Sequence, residues 1–227
     1  GLARRAAGRL RNRARRRRLL RRRNGCLRQS RAQGEIHSTI ELILEITGLV
    51  AFAFSGALAG AKKDLDVIGC VVLGTATGIG GGTLRDLVLD APVFWLSDWA
   101  CYSLNVCVVA SIVMYFAAGY FSSKERVINW FDAAGLAIFS VQGYAKAYAV
   151  SANAELALVM GVITGCGGGL VRDVCLNRQP FIFRGQMYAS ASLLGLGVFA
   201  LWGNEVAAFF VILVLRAAAI KYNIKLK

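Results

Sequence analysis

Thr77–Asp86 reads TGIGGGTLRD, and Thr164–Asp173 reads TGCGGGLVRD. The two copies lie 87 positions apart, each inside an apolar stretch. Glycine triplets belong where a backbone bends or approaches something closely. Two triplets, each followed after two residues by the same Arg-Asp pair, point to an internally duplicated membrane protein whose broken helices form a polar path.

The duplication extends well beyond the motif at the same offset and without gaps. Gly48 pairs with Gly135, Leu49 with Leu136, Phe52 with Phe139, Gly56 with Gly143, Gly74 with Gly161 and Ser103 with Ser190, and Glu45 stands opposite Asp132. The copies cover about 41–120 and 128–204, with three apolar spans in each. Three is odd, so the second copy enters the membrane from the opposite face, giving an inverted-topology repeat of the kind many transporters share. A seventh span and a basic C-terminal tail, 205–227, have no counterpart.

A bilayer core needs about 20 mostly apolar residues per helix. Seven stretches fit or nearly fit: about 41–61, 65–84, 99–121, 129–150, 154–171, 187–202 and 206–220. The composition agrees, because 56% of the residues are hydrophobic and only 18% are charged. The net charge of +14 comes from an Arg-rich arm, 1–33, whose first 31 residues hold 14 Arg and no acid. The arm reads either as a disordered extension outside the working fold or as a tail for anionic lipid or nucleic acid. Alternate loops divide by charge. Lys62, Lys63, Lys124, Arg126, Arg178, Arg184, Lys221, Lys225 and Lys227 lie on one side, and Asp90, Asp98, Glu155 and Glu205 on the other. The positive-inside rule puts the C-terminus in the cytoplasm and, with seven spans, the N-terminus outside. Fourteen arginines would then have to cross the membrane, which favours the extension reading and makes nucleic acid an unexpected partner.

The motifs allow two roles. Gly74, Gly78 and Gly82, like Gly161, Gly165 and Gly169, recur every four residues and line one helical face for close packing. Adjacent glycines Gly80–Gly82 and Gly167–Gly169 each lower helix propensity by about 1 kcal/mol, so the second and fifth helices are expected to kink or break. Freed carbonyls there, with the Thr77 and Thr164 hydroxyls, could line a cation pathway. Glu45 with Arg85, and Asp132 with Arg172, are expected as ion pairs at the two mouths, with Asp86 and Asp173 as further acceptors. Lys146, opposite Ala59 in the other copy, either snorkels or projects into the pathway and gates cations by repulsion. A phosphate-binding loop fails, because GxxxxGK[ST] lacks its Lys. With one His, His37, and six cysteines but no CxxC pair, a metal site and a cofactor are not expected. No nucleophile-base cluster supports an enzyme.

GIGGGTLRD followed by Pro92, FAFSGALAGAKK at 52–63 and the second TGCGGGLVRD resemble the bacterial trimeric intracellular cation (TRIC) channel family, also labelled the glycine transporter domain family. The match spans about 41–220. The resemblance implies an all-α membrane protein with seven transmembrane helices, a 3+3 inverted repeat plus a seventh helix, and kinks in the second and fifth helices at Gly80–Gly82 and Gly167–Gly169. It also implies a homotrimer in the bacterial inner membrane, with a potassium-permeable pore in each subunit and Lys146 as the basic residue of the fourth helix near that pore. A carrier of glycine or another small solute is the first alternative function, and a membrane scaffold with a lipid- or nucleic-acid-binding arm the second.

Overall fold

The computed structural model describes residues 39–96, 101–121, 124–184 and 187–224. The Arg-rich arm 1–33 and His37 lie outside these, so the expectations for them stand outside the described residues. The chain divides into two compact units, Gly1–Ile43 and Leu44–Lys227. The first contributes only 39–43, the start of the first helix, to the described residues, and the contacts discussed below lie in the second.

All regular elements among the described residues are helical. They are α1 (Thr39–Ala61), α2 (Val67–Val88), α3 (Cys101–Ala117), α4 (Lys124–Ser151), α5 (Ala154–Cys175), α6 (Ala189–Trp202) and α7 (Glu205–Tyr222). Short 3-10 turns at Ala118–Tyr120 and Phe181–Phe183 follow α3 and precede α6. The helix starts are set locally. Asp66 accepts the Gly69 amide to cap α2, Asn153 accepts those of Glu155 and Leu156 to cap α5, and Asn204 accepts that of Ala207 to cap α7. Gly203, at φ +64°, ends α6 in the left-handed conformation that glycine adopts without strain. Both boundaries of α2 recur in α5 at the offset of 87.

Four helices, α1, α2, α5 and the Tyr102–Tyr120 stretch, are long and apolar enough to cross a membrane by length and composition. The other three of the seven expected spans are helical but fall short of that standard. α6 has only 14 residues. α4 carries Asp132, Ser140, Gln142 and Lys146 along its length, and α7 carries Glu205, Arg216 and Lys221. Elsewhere the apolar surface faces outward: Val109, Val113 and Phe116 make an exposed stripe on α3, and Val206, Phe210 and Val214 one on α7. Lipid-facing helices need such stripes, because the bilayer solvates apolar side chains.

The interior is built on two crossings. α1 and α4 meet where the Phe52 and Phe139 rings stack at 5.4 Å, each over the other helix's glycine: Phe52 against Gly135, Phe139 against Gly48. α2 and α5 meet at the glycine triplets, backbone against backbone. A methyl group on Gly81 would lie 2.1 Å from the Thr164 carbonyl oxygen, and one on Gly168 would lie 2.4 Å from that of Thr77. The two contacts are reciprocal, because 81 and 168, like 77 and 164, are related by the repeat offset.

Both helices run unbroken through their triplets, which corrects the expected break. The physical reason is the crossing. The glycine hydrogens point at carbonyl oxygens of the opposite helix, an arrangement suited to weak Cα–H···O attraction. That contact, with the packing around it, offsets the poor helix propensity of consecutive glycines. Gly81→Ala should therefore overpack the crossing and destabilise the fold by about 1–3 kcal/mol. Gly197→Ala, at a helical glycine with nothing within 4 Å, should be neutral or slightly stabilising. Thermal unfolding of the two purified variants in detergent checks the contrast.

Candidate functional site

The remaining triplet glycines also serve close approach. Gly82 lies against the Phe94 ring, Gly169 against the Tyr188 hydroxyl and Asp132 Oδ1, and Gly80 against Val171. The glycine face of α2 meets α1 and α3, with Gly74 against Ala53 O and Ser111 Oγ, and Gly78 against Cys107 Sγ. Its counterpart on α5 meets α4, through Gly161 at Ser140 O and Gly165 at Ser140 Oγ. Thr77 and Thr164 are fully buried beside the crossing. Each hydroxyl donates to its own helix, to Leu73 O and Met160 O respectively, at 2.6 Å. Each also fits against a glycine of the neighbouring helix, Gly56 or Gly143. The carbonyls at the triplets stay within unbroken helices rather than being freed.

The Arg-Asp pairs end α2 and α5 in the same way. Arg85 Nε donates to Asp86 Oδ1 at 2.8 Å, and Asp86 Oδ2 accepts the Phe94 amide at 2.9 Å. Arg172 Nε donates to Asp173 Oδ1 at 3.0 Å, and Asp173 Oδ2 accepts the Phe181 amide at 3.2 Å. Each arginine also lies over the ring of that phenylalanine, at 5.9 and 4.8 Å. The motif's aspartate thus folds the following loop back onto the helix end, and its arginine holds the aspartate in place.

Beyond this shared lock the two halves differ. Asp132 pairs with Arg172 Nη1 at 2.7 Å, as its sequence position suggests, and that nitrogen also donates to Ser55. Arg172, Asp132 and Asp173 are almost wholly buried. The expected Glu45–Arg85 pair does not form: Glu45 Oε1 instead accepts from Tyr102 at 3.0 Å and Ser103 at 3.2 Å. Asp86 is nearer to Arg85 in the chain and takes its place. Lys146 neither snorkels nor stands free, because its Nζ lies 2.8 Å from Asp86 Oδ1. One half therefore sets two cations around a carboxylate, and the other sets two carboxylates around a cation.

Sequence reasoning missed three participants. Tyr188, at the start of α6, and Arg216, in α7, stack at 4.8 Å with both residues buried. Glu125, at the start of α4, meets Lys62 from the α1–α2 loop, Arg178 at 2.9 Å and Arg184 at 3.8 Å from the α5–α6 segment. One carboxylate thereby ties two loops together. Burial pushes the Glu125 carboxyl up, but the Lys62 hydrogen bond and the Arg178 and Lys62 charges outweigh it and hold the pKa below the ordinary 4.5. Among the described residues no cluster of His, Cys, Asp and Glu is suited to hold a metal ion.

The sequence profile of the glycine transporter family matches twice, at residues 42–118 and 129–214. The two matches begin at positions related by the same 87-residue offset. The chain is 38% identical over 197 residues to the Escherichia coli K12 "UPF0126 inner membrane protein YadS", covering 81% of this chain and 93% of that one. It superposes on the TRIC trimeric intracellular cation channel orthologue from Rhodobacter sphaeroides with a TM-score of 0.77. That match has 34% identity and covers 82% of this chain and all of the other. A second prokaryotic TRIC channel, crystallised in 0.5 M KCl, gives a TM-score of 0.75 at 31% identity, covering 82% of this chain and 98% of that one. The chain belongs to the TRIC family. The TRIC relationship accounts for the all-helical fold and makes this a multi-pass membrane protein.

The Glu125 tie carries a pH signature. A depressed carboxyl pKa contributes stability that is fully present above the unfolded-state value and is lost as pH falls through the folded-state value. Glu125→Gln should lower the unfolding temperature near neutral pH, and the gap from wild type should close as pH falls below the ordinary 4.5. Parallel thermal melts across that range measure it.

Proposed function

We propose that this chain is a potassium-permeable monovalent cation channel of the TRIC type, a homotrimer with one pore in each subunit, in the inner membrane of a bacterium. The observation that carries this reading is the run of buried polar side chains through a bundle with apolar outer stripes. It comprises Asp86, Thr77, Thr164, Ser55, Asp132, Arg172 and Asp173, all buried to within 1%. Buried polar groups are costly in a membrane and mark pathways more often than packing. The relatives described as trimeric cation channels support both the class of permeant and the trimer.

In this reading 41–120 and 128–204 are inverted three-helix halves, 205–227 adds the seventh helix and tail, and the C-terminus is cytoplasmic. α2 and α5 bend at Gly80–Gly82 and Gly167–Gly169 without breaking, and the pore runs beside their crossing. Glu45, Arg85, Asp86, Asp132, Arg172 and Asp173 set the field at its two ends. The polar groups pack against one another in the conformation described, so conduction requires them to separate and hydrate. Lys146 is the gating candidate, because the Lys146–Asp86 pair joins α4 to the end of α2 and must loosen for those helices to part.

The same occlusion favours one second reading, a carrier for glycine or another small solute, since carriers enclose their substrate midway through transport. Flux through the purified protein in liposomes separates the two. The channel reading predicts potassium flux that rises with concentration without early saturation and is indifferent to glycine. Saturable glycine uptake without potassium conductance overturns it.

A further inference from the structure

Glu125 is the meeting point of three cations from two loops. Its Oε2 accepts from Lys62 Nζ and from Arg178 Nη2, the latter at 2.9 Å. Its Oε1 faces Arg184 Nη1 at 3.8 Å, too far for a hydrogen bond. One carboxylate against three cations leaves the positive charge in excess. Lys63 and Arg126, next in the chain to Lys62 and Glu125, are exposed and make no ion pair among the described residues. Asp64 and Asp66 also lie in the α1–α2 loop, but Asp66 accepts the Gly69 amide. Even with both counted, Lys62, Lys63, Arg126, Arg178 and Arg184 leave these loops net positive.

The cluster opens outward. The side chains of Lys62 and Glu125 are 40% and 38% exposed, so the loosely held Oε1 side is within reach of a ligand from outside the bundle. Every contributing segment is the end of a helix: Lys62 follows α1, Glu125 begins α4, and Arg178 and Arg184 follow α5. Tyr120, Trp130 and Phe183 are exposed at the same end. Exposed tyrosine and tryptophan at the ends of membrane helices mark the level of lipid headgroups. A partly exposed ion pair contributes about 1 kcal/mol or less, so Glu125 is a partner that a better anion can displace. A phosphate is such an anion, since it offers more oxygens than a carboxylate and takes an arginine bidentately.

We propose that Lys62, Arg178 and Arg184 form a site for the phosphate of an anionic phospholipid headgroup, with Glu125 as the internal partner that the phosphate displaces. Lys63 and Arg126 add attraction to an anionic membrane surface. The site also has a route inward through Phe181. Arg184 and Arg172 both stack on its ring, at 4.6 and 4.8 Å, so a headgroup that engages Arg184 acts one ring away from the Asp132–Arg172 pair. The proposal rests on the membrane fold and holds whether the protein conducts ions or carries a solute.

The test uses the full-length protein in detergent, titrated with dioctanoyl phosphatidylglycerol, dioctanoyl phosphatidylcholine or glycerol phosphate while thermal unfolding is followed. A ligand that binds the folded state alone raises the unfolding temperature saturably. The expected result is such a rise with phosphatidylglycerol and none with the other two at the same concentrations. Glu125→Gln should reach half the rise at about 10-fold less lipid, because the competing carboxylate is gone, and Arg184→Gln should need about 10-fold more, as loss of one charged hydrogen bond implies. Arg184 lies beyond hydrogen-bond distance of Glu125, so its replacement keeps the Lys62 and Arg178 ties. No saturable rise with phosphatidylglycerol overturns the proposal. An equal response to phosphatidylcholine overturns it because headgroup charge then plays no part, and an equal response to glycerol phosphate because a free phosphate then suffices. An unchanged half-effect concentration in either variant overturns it as well, and Arg184→Gln decides alone if Glu125→Gln does not fold.

Discussion

α2 and α5 pass each other at Gly81 and Gly168 so closely that a single methyl group on either would enter a carbonyl oxygen of the other. A pair of helices can approach this far only when neither presents a Cβ at the crossing. The distance fixes much else. It brings Thr77 and Thr164 to the centre of the bundle, and it leaves α1 and α4 to close around the pair with Phe52 and Phe139 stacked. It also points the two Arg-Asp locks toward the far ends of helices that share boundaries under the repeat offset. Because the crossing contacts are reciprocal, the glycine triplet had to be duplicated. One copy alone would meet side chains.

Symmetry of the backbone coexists with opposite charge. Around Asp86 the sequence places Arg85 and Lys146, and around Arg172 it places Asp132 and Asp173. The lock that closes each loop is the same, so its arginine and aspartate serve architecture at both ends. The differences lie in residues outside the lock, Lys146 at Asp86 in one half and Asp132 at Arg172 in the other. Those residues are the ones through which two similar halves can present different fields to a charged solute. Glu125, gripping Lys62, Arg178 and Arg184, adds a tie between loops of the two repeats.

Much of this was legible in the sequence, because a duplication at a constant offset of 87 exposes which positions are equivalent. The seven helices, the four-residue glycine faces and the Asp132–Arg172 pair follow from it. Equivalence, however, says nothing about contacts between the halves, and that is where reading failed. Lys146 reaches Asp86 in the other half, and no spacing along α4 reveals it. The topology puts Glu45 and Arg85 at the same end of the bundle, but the adjacent Asp86 competes more effectively for the arginine. The break expected at the triplets rested on helix propensity, a local quantity that the crossing contact overrides. Arg216 lies on the helix without a repeat partner, so the repeat could not point to it. The phenylalanine eight residues beyond each aspartate, Phe94 and Phe181, was a repeated signal that the ten-residue motif stopped short of.

We propose that the two halves cross as inverted copies, with the ends of α2 and α5 at opposite faces of the membrane. Asp90 and Asn177 provide the most direct check, since both are exposed, both have φ near 50°, and they are equivalent under the repeat. Asp90→Cys and Asn177→Cys, each made singly in a background free of other cysteines, can be labelled in intact cells with a membrane-impermeant maleimide. With inverted halves, one is labelled from outside and the other only after the membrane is opened. Labelling of both from the same side would rule the inverted arrangement out.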